Sequence, residues 1–302
     1  MNLNIIKNIP IPISGLILAL LSLGNLLQGY SLFFKIIFGL IGVIFIVLLL
    51  YKFYMFTDDF IGELSNPIIL MNSGTFSMSL MILSTYINSF FPDLALFIWI
   101  LGVGLHILLI IYFTYNHIIH NFNIMFVYPS YWIVFVGISM GAITAHVHGL
   151  SQIAFIFFIF GFISMLITLP LVIYRYLKYP NKLNQNKPLV CIFTALISIL
   201  IVAYINSVGV VSYWFLMILY TFSFAFYLFA LYKFVDYRNL EFYPSFSAFT
   251  FPFVISAIAS AEVFKINQSI FLSNIVLIET LIAVILVIYV LYRYLKFLSK
   301  IK

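Results

Sequence analysis

Residues able to do acid–base, nucleophilic or metal chemistry are scarce in this chain of 302: eight Asp and Glu, five His and one Cys. The densest group is "TDDFIGE", residues 57–63. Beside a membrane cavity such carboxylates could hold magnesium diphosphate, as enzymes that transfer prenyl groups within membranes require. That chemistry needs two separated aspartate-rich motifs and the chain offers one, so the stretch reads as a solvated loop. "HVHG" sets His146 and His148 two residues apart, and side chains two apart on a helix point to different faces. They read as a helix-end cap. His117 and His120 have better spacing but no carboxylate or cysteine beside them. Neither a metal nor an organic cofactor is expected.

Glu279 stands about nine residues inside an apolar run, near the depth of a bilayer midplane. A carboxylate there is expensive and is a functional candidate. Desolvation raises such a group's pKa, which would suit proton coupling. The reading preferred here is structural, a hydrogen bond or an ion pair with Lys35.

These residues need elements to position them, and composition names the solvent of those elements. Hydrophobic residues make up 65% of the chain and charged residues 7%, with a mean hydropathy of +1.20. Soluble domains are roughly 25% charged. This is an integral, all-α membrane protein, read as one transmembrane domain over 1–302. The opening "MNLNIIKNIPIPISG" has no small-residue cleavage site, so the first apolar run is expected to be retained. A single cysteine, Cys191, leaves no internal disulfide.

Ten apolar runs approach the length of a membrane span: 10–28, 31–56, 67–90, 92–115, 129–148, 151–177, 188–208, 211–235, 244–264 and 270–293. Tight turns such as "QGY" and "FPD" join them into five antiparallel hairpins. Twelve of the fourteen cations, Lys182 and Lys302 among them, fall at the termini and in or beside the longer loops, with Lys35 and Lys265 on the other side. The positive-inside rule then places both termini in the cytoplasm. It also explains the net charge of +6 without a nucleic-acid partner.

The hairpins repeat. Pro67, Pro129, Pro188 and Pro244 open odd-numbered spans, as Pro10 or Pro12 opens the first. The even spans end on Tyr51-Lys52, Tyr115-Asn116, Tyr174-Arg175, Tyr232-Lys233 and Tyr292-Arg293, spaced by 64, 59, 58 and 60 residues. A two-helix repeat always re-enters from one side, so its copies are parallel and can close a pseudo-five-fold ring around a pore. Serine and threonine number about twenty in the odd spans and about ten in the even ones, which assigns the odd spans to the inner ring.

"IPIPISGLILALLSLGNLL" (9–27), "YPSYWIVFVGISMGAITA" (128–145) and "FYPSFSAFTFPFVISAIA" (242–259) resemble the first, fifth and ninth helices of the tellurite-resistance/dicarboxylate transporter family. That family also contains the plant guard-cell slow anion channels. The resemblance covers essentially the whole chain, and the Thr-Phe-Pro of the ninth helix is its most specific part. It implies a homotrimer in the plasma membrane, each subunit with its own pore lined by the odd helices. It implies as well that a phenylalanine, here Phe251, blocks that pore.

The residues support this placement on their own. Seven positions after its opening proline, Phe251 aligns with Gly74, with Val136 beside Gly137, and with Ala195 beside Thr194; Gly15 is near the same level. Gly15, Gly74, Gly137, Thr194 and Thr250 are the pore-lining candidates. Pro252 is expected to kink the helix against the carbonyl of Ala248 and so aim Phe251. Phe246, Phe249 and Phe253 should pack between helices or against lipid. No cation is expected inside the inner ring. Hydroxyls and bent backbone suit weak binding, and hence a channel or low-affinity permease for small inorganic or organic anions. A proton-coupled dicarboxylate or sulfite carrier is the alternative.

Overall fold

The computed structural model describes residues 3–180 and 183–301, so Lys182 and Lys302 lie outside the described residues. Among the described residues the chain is helical without strands. In chain order the α-helices are α1 Leu3–Lys7, α2 Ile13–Leu27, α3 Leu32–Met55, α4 Thr57–Leu64, α5 Pro67–Ile87, α6 Pro92–Phe113, α7 Ser130–Phe135, α8 Ser139–Ala145, α9 Ser151–Lys178, α10 Phe193–Ser207, α11 Tyr213–Tyr237, α12 Phe251–Ile266 and α13 Ile270–Leu298. Eight helical stretches are long and apolar enough to cross a membrane. Two of the ten runs fall short. The first forms only the short apolar α2, and the fifth is split into α7 and α8.

Burial separates two layers. In the third, seventh and ninth runs 67%, 94% and 83% of the apolar window is buried, against 28–39% in the five even runs. The even helices turn large side chains such as Leu40, Ile156, Phe222 and Ile285 outward, where a bilayer rather than water would solvate them. Each inner element packs on the helix that follows it: α2 on α3, α5 on α6, α8 on α9, α10 on α11 and α12 on α13. The inner elements also touch one another in a closed circuit, α2 to α5, α5 to α7 and α8, α8 to α10, α10 to α12, and α12 back to α2. Small residues permit the closest approaches. A Cβ added at Gly102 would lie 2.9 Å from the carbonyl oxygen of Ser77.

Several inner runs begin irregularly on one side of the molecule. A 3-10 segment, Asn184–Ile192, precedes α10, and another, Pro244–Phe249, precedes α12. The expectation of a proline kink in the ninth run is corrected here. The chain breaks at Thr250 (φ −110°, ψ −86°), and α12 starts afresh with Pro252 in its first turn. A missing N–H costs nothing there, because first-turn amides have no partner within the helix. In the fifth run the break falls at Val136–Ile138.

Side chains hold these irregular segments. Thr250 Oγ1 donates to the Ser247 carbonyl at 2.6 Å, within the broken turn. His106, fully buried on α6, reaches the break in the fifth run. Its Nε2–H donates to the Val134 carbonyl (3.1 Å), which a continuous helix would pair with Ile138, and its Nδ1 accepts from the Ser77 hydroxyl (2.7 Å). Basic residues that close the even runs fold back onto the chain entering their own inner partners. Lys52 Nζ donates to Ile9 O (2.6 Å), Arg175 Nη2 to Met125 O (3.4 Å) and Arg293 Nη2 to Leu240 O (3.0 Å). The adjoining tyrosines Tyr51, Tyr174 and Tyr292 point outward. Thus the repeated Tyr-basic pair divides its labour: the ring faces lipid, and the cation holds a carbonyl.

Replacing His106 with Ala strips the Val134 carbonyl of its partner in a fully buried site. Leaving one buried acceptor unsatisfied costs about 1–3 kcal/mol. His106→Ala should therefore lower thermal stability in detergent by several degrees, measured by a fluorescence melt. An unchanged midpoint would show that the break holds without the imidazole.

Candidate functional site

The face that carries the chain ends is marked by Asn8 and Tyr243 in one cavity and by Phe297 against Phe242, with ring centroids 5.1 Å apart. From this face three cavities follow one another inward and across. The first, about 250 Å³, is a mouth formed by Asn8, Pro12, Asn66, Gln185, Asn186 and Ser245 with their neighbours. The second is a constriction of about 50 Å³ at Phe251. The third, about 520 Å³, opens toward the opposite face between Asn25, Ile82, His146, Asn206 and Ile258.

Residue numbers rise together along this path. The first run contributes Pro12, then Gly15, then Ser22; the third Asn66, Asn72 and Ile82; the seventh Asn186, Ala195 and Asn206; the ninth Ser245, Phe251 and Ile258. The fifth joins at the constriction with Gly137 and continues to His146. The five odd runs are therefore parallel. The constriction is lined by these runs alone.

Phe251, 6% exposed, shares the constriction with Gly15, Val136, Gly137, Ala195 and Pro252. Three other candidates are not among the residues lining it, and each has a local reason. Gly74 faces the seam between α6 and α7, where an added Cβ would meet Leu109 at 2.9 Å and Ile133 at 3.0 Å. Thr194 Oγ1 turns to the Phe226 carbonyl on α11 (3.2 Å). Thr250 is spent on the break below Phe251, bonding Ser247 O and, at 3.3 Å, Gly15 O. Counting from the prolines found the level but not the azimuth, because 3-10 turns precede α10 and α12 whereas α5 is regular from Pro67, so equal counts give unequal rotation.

Asn72, Thr75 and Met78 take the place expected for Gly74. Ser14 and Thr75 share a hydrogen bond (2.7 Å) that ties α2 to α5 at this level. Trp132, absent from the expected set, also lines the constriction, and its indole N–H has no partner among the described residues. An intramembrane N–H donor beside a small cavity was the signal available for it. Phe246, Phe249 and Phe253 are fully buried among helices, not against lipid; Phe249 meets Phe234 at 5.1 Å and Phe253 meets Tyr227 at 5.7 Å.

Glu279 on α13 lies behind α12, away from the cavities. Its Oε2 accepts from Ser260 Oγ (2.7 Å) and Ser256 Oγ (3.3 Å), while Oε1 has no partner among the described residues. The alternative of an ion pair with Lys35 is corrected: Lys35 donates to Gln28 (2.8 Å) and sits over the Tyr86 ring. "TDDFIGE" is also not a loop. It forms α4, on which Asp59 pairs with Lys7 (3.2 Å) and Glu63 with buried Lys52.

The family model described as voltage-dependent anion channel, SLAC1, matches residues 8–295. The chain belongs to this family. No curated protein matches it. Members of the SLAC1 family carry anions through a membrane channel and are not enzymes, so this chain is a multi-pass membrane protein of anion transport. Within that frame the constriction between parallel runs is the natural candidate for the anion's path.

The Glu279 geometry predicts that Glu279→Gln will fold normally, since an amide oxygen can replace Oε2 toward both serines. Glu279→Leu, which strands those hydroxyls, should lose about 1–3 kcal/mol. Thermal melts of the two variants compare them directly, and equal losses would contradict the assignment.

Proposed function

We propose that this SLAC1-family protein is a channel or low-affinity permease for small anions, closed by the Phe251 ring. The observation that carries the reading is the narrowing of three aligned cavities to about 50 Å³ at the one bulky ring that follows the break at Thr250. Neutral donors line the path: the Asn72 amide and the Trp132 indole N–H. Such groups bind an anion weakly enough to release it, which conduction requires. The ring blocks the path by bulk, and Pro252 starts a rigid helix directly behind it.

In this proposal the ten apolar runs are ten crossings arranged as five repeated hairpins with pseudo-five-fold symmetry. The broken fifth run and short first run cross with help from their irregular ends. Both termini are cytoplasmic, the membrane is the plasma membrane, and three subunits associate, each with its own pore. Chloride, nitrate, sulfite, dicarboxylates and tellurite-related oxyanions all belong to the substrate class. Proton-coupled carriage of a dicarboxylate or sulfite is a second reading, favoured by the orphan Oε1 of Glu279.

Reconstitution in liposomes tests the proposal, with flux measured for an anion panel with and without a pH gradient. Phe251→Ala should raise anion flux at least severalfold with a small change in melting temperature, because water can occupy a vacated space that communicates with the cavities. Phe249→Ala, emptied inside a closed aromatic cluster, should instead lose about 3–5 kcal/mol and stay quiet. A destabilised, silent Phe251→Ala would sink the gate. Flux that vanishes without a proton gradient, and that Glu279→Gln uncouples, would favour the carrier. Cysteines introduced near residue 60 should be labelled only from the cytoplasmic side; labelling from outside would invert the topology.

A further inference from the structure

Among the described residues, Glu63 is the one charged residue lining the mouth on the face of the chain ends; its neighbours there include the carboxamides Asn8, Asn66, Asn72, Gln185 and Asn186. A carboxylate in that position is paradoxical for an anion path. A unit charge a few ångströms from a narrow path changes the local anion concentration by roughly threefold to tenfold, with the sign of the charge. The side chain is 31% exposed, so its charge reaches the cavity.

Its counter-ion does not line the cavity. Lys52 is 0% exposed, reaches Glu63 Oε1 from the end of α3 and donates a second bond to Ile9 O at 2.6 Å. Glu63 Oε2 also accepts, at 3.4 Å, from the amide of Ile11. The cation is thus held by covalent geometry and two acceptors. It stays behind the wall whether or not an anion passes.

We infer that the Lys52–Glu63 pair sets the electrostatic potential of this mouth, with Glu63 as the residue that limits anion access and Lys52 as the fixed charge that offsets it. This rests on the pore reading given above and adds a determinant of rate and selectivity to it. Removing the carboxylate leaves a net positive mouth. Removing the ammonium leaves a net negative one. The two single variants must therefore move anion access in opposite directions, whereas a pair serving stability alone would make both variants worse.

Two measurements separate these outcomes. In the Phe251→Ala background at low chloride, Glu63→Gln should raise anion current roughly threefold to tenfold and Lys52→Met should lower it by a similar factor. The double variant should return near the background value, and all differences should shrink in 1 M salt, where screening reduces to about 3 Å. Parallel losses in the single variants, or no change in Glu63→Gln, would overturn the inference.

The second measurement needs no conduction. Asn8→Cys puts a thiol at an exposed position of the same mouth, while Cys191 is buried. Its rate of modification by an anionic thiosulfonate, divided by that for a cationic one, should rise about tenfold when Glu63→Gln is added. An unchanged ratio refutes the role of Glu63 even if Lys52→Met fails to fold. A silent Phe251→Ala with a responding ratio would instead count against the pore reading and leave the mouth potential established.

Discussion

A carbonyl oxygen released inside a bilayer has no water to turn to, and this constraint organises the rest of the molecule. Regular helices satisfy themselves, but a path for an ion needs backbone that departs from regularity. Several such departures here are met by a side chain. His106 takes the Val134 carbonyl at the break in the fifth run, and Thr250 takes Ser247 O at the break in the ninth. Tyr294 donates to Pro244 O at 2.5 Å where the ninth run begins. Irregular backbone is tolerated at membrane depth when it is buried in protein or lines a cavity, and both conditions hold at the constriction.

The same constraint explains the division between inner and outer helices. The outer ones are continuous because lipid offers no partner, and they can afford large apolar side chains on their exposed faces. The inner ones carry most of the hydroxyls and prolines because their surroundings are protein. His106 shows the dependence of one layer on the other: it belongs to α6, yet its bond is made to the fifth run. Substitutions on outer helices can thus disturb the constriction without touching it.

Charge follows the logic of burial too. Burying an ion is costly unless it is paired or solvated by dipoles. Arg175 meets the rings of Tyr128 and Tyr176 at 4.0 and 5.1 Å besides the Met125 carbonyl, while Lys52 has Glu63 and Ile9 O. These cations stand behind the inner runs rather than among the residues of the constriction. In the proposed channel their field acts through the wall and not by direct contact with an anion.

The sequence by itself determined the solvent and the level at which Gly15, Gly137, Ala195 and Phe251 meet. An apolar fraction of 65% with few charges admits only a membrane, and prolines at regular spacing mark where inner runs begin. Thr-Phe-Pro is distinctive enough to single out Phe251 in the sequence, but the small residues expected at its height are joined there by Met78, Trp132 and Leu196. What the tertiary structure decided was direction around each helix axis. Gly74 and Thr194 sit at the right height yet turn to the α6–α7 seam and to α11, since some runs begin with 3-10 turns and α5 does not, a difference that no periodic pattern records. Trp132 and the Lys52–Glu63 pair escaped the sequence for a related reason. Residues 11 apart on different elements meet only after a chain reversal, and a buried partner converts what reads as a solvated acidic loop into the wall of a cavity. Periodicity carries depth in the membrane; only packing carries azimuth and partnership.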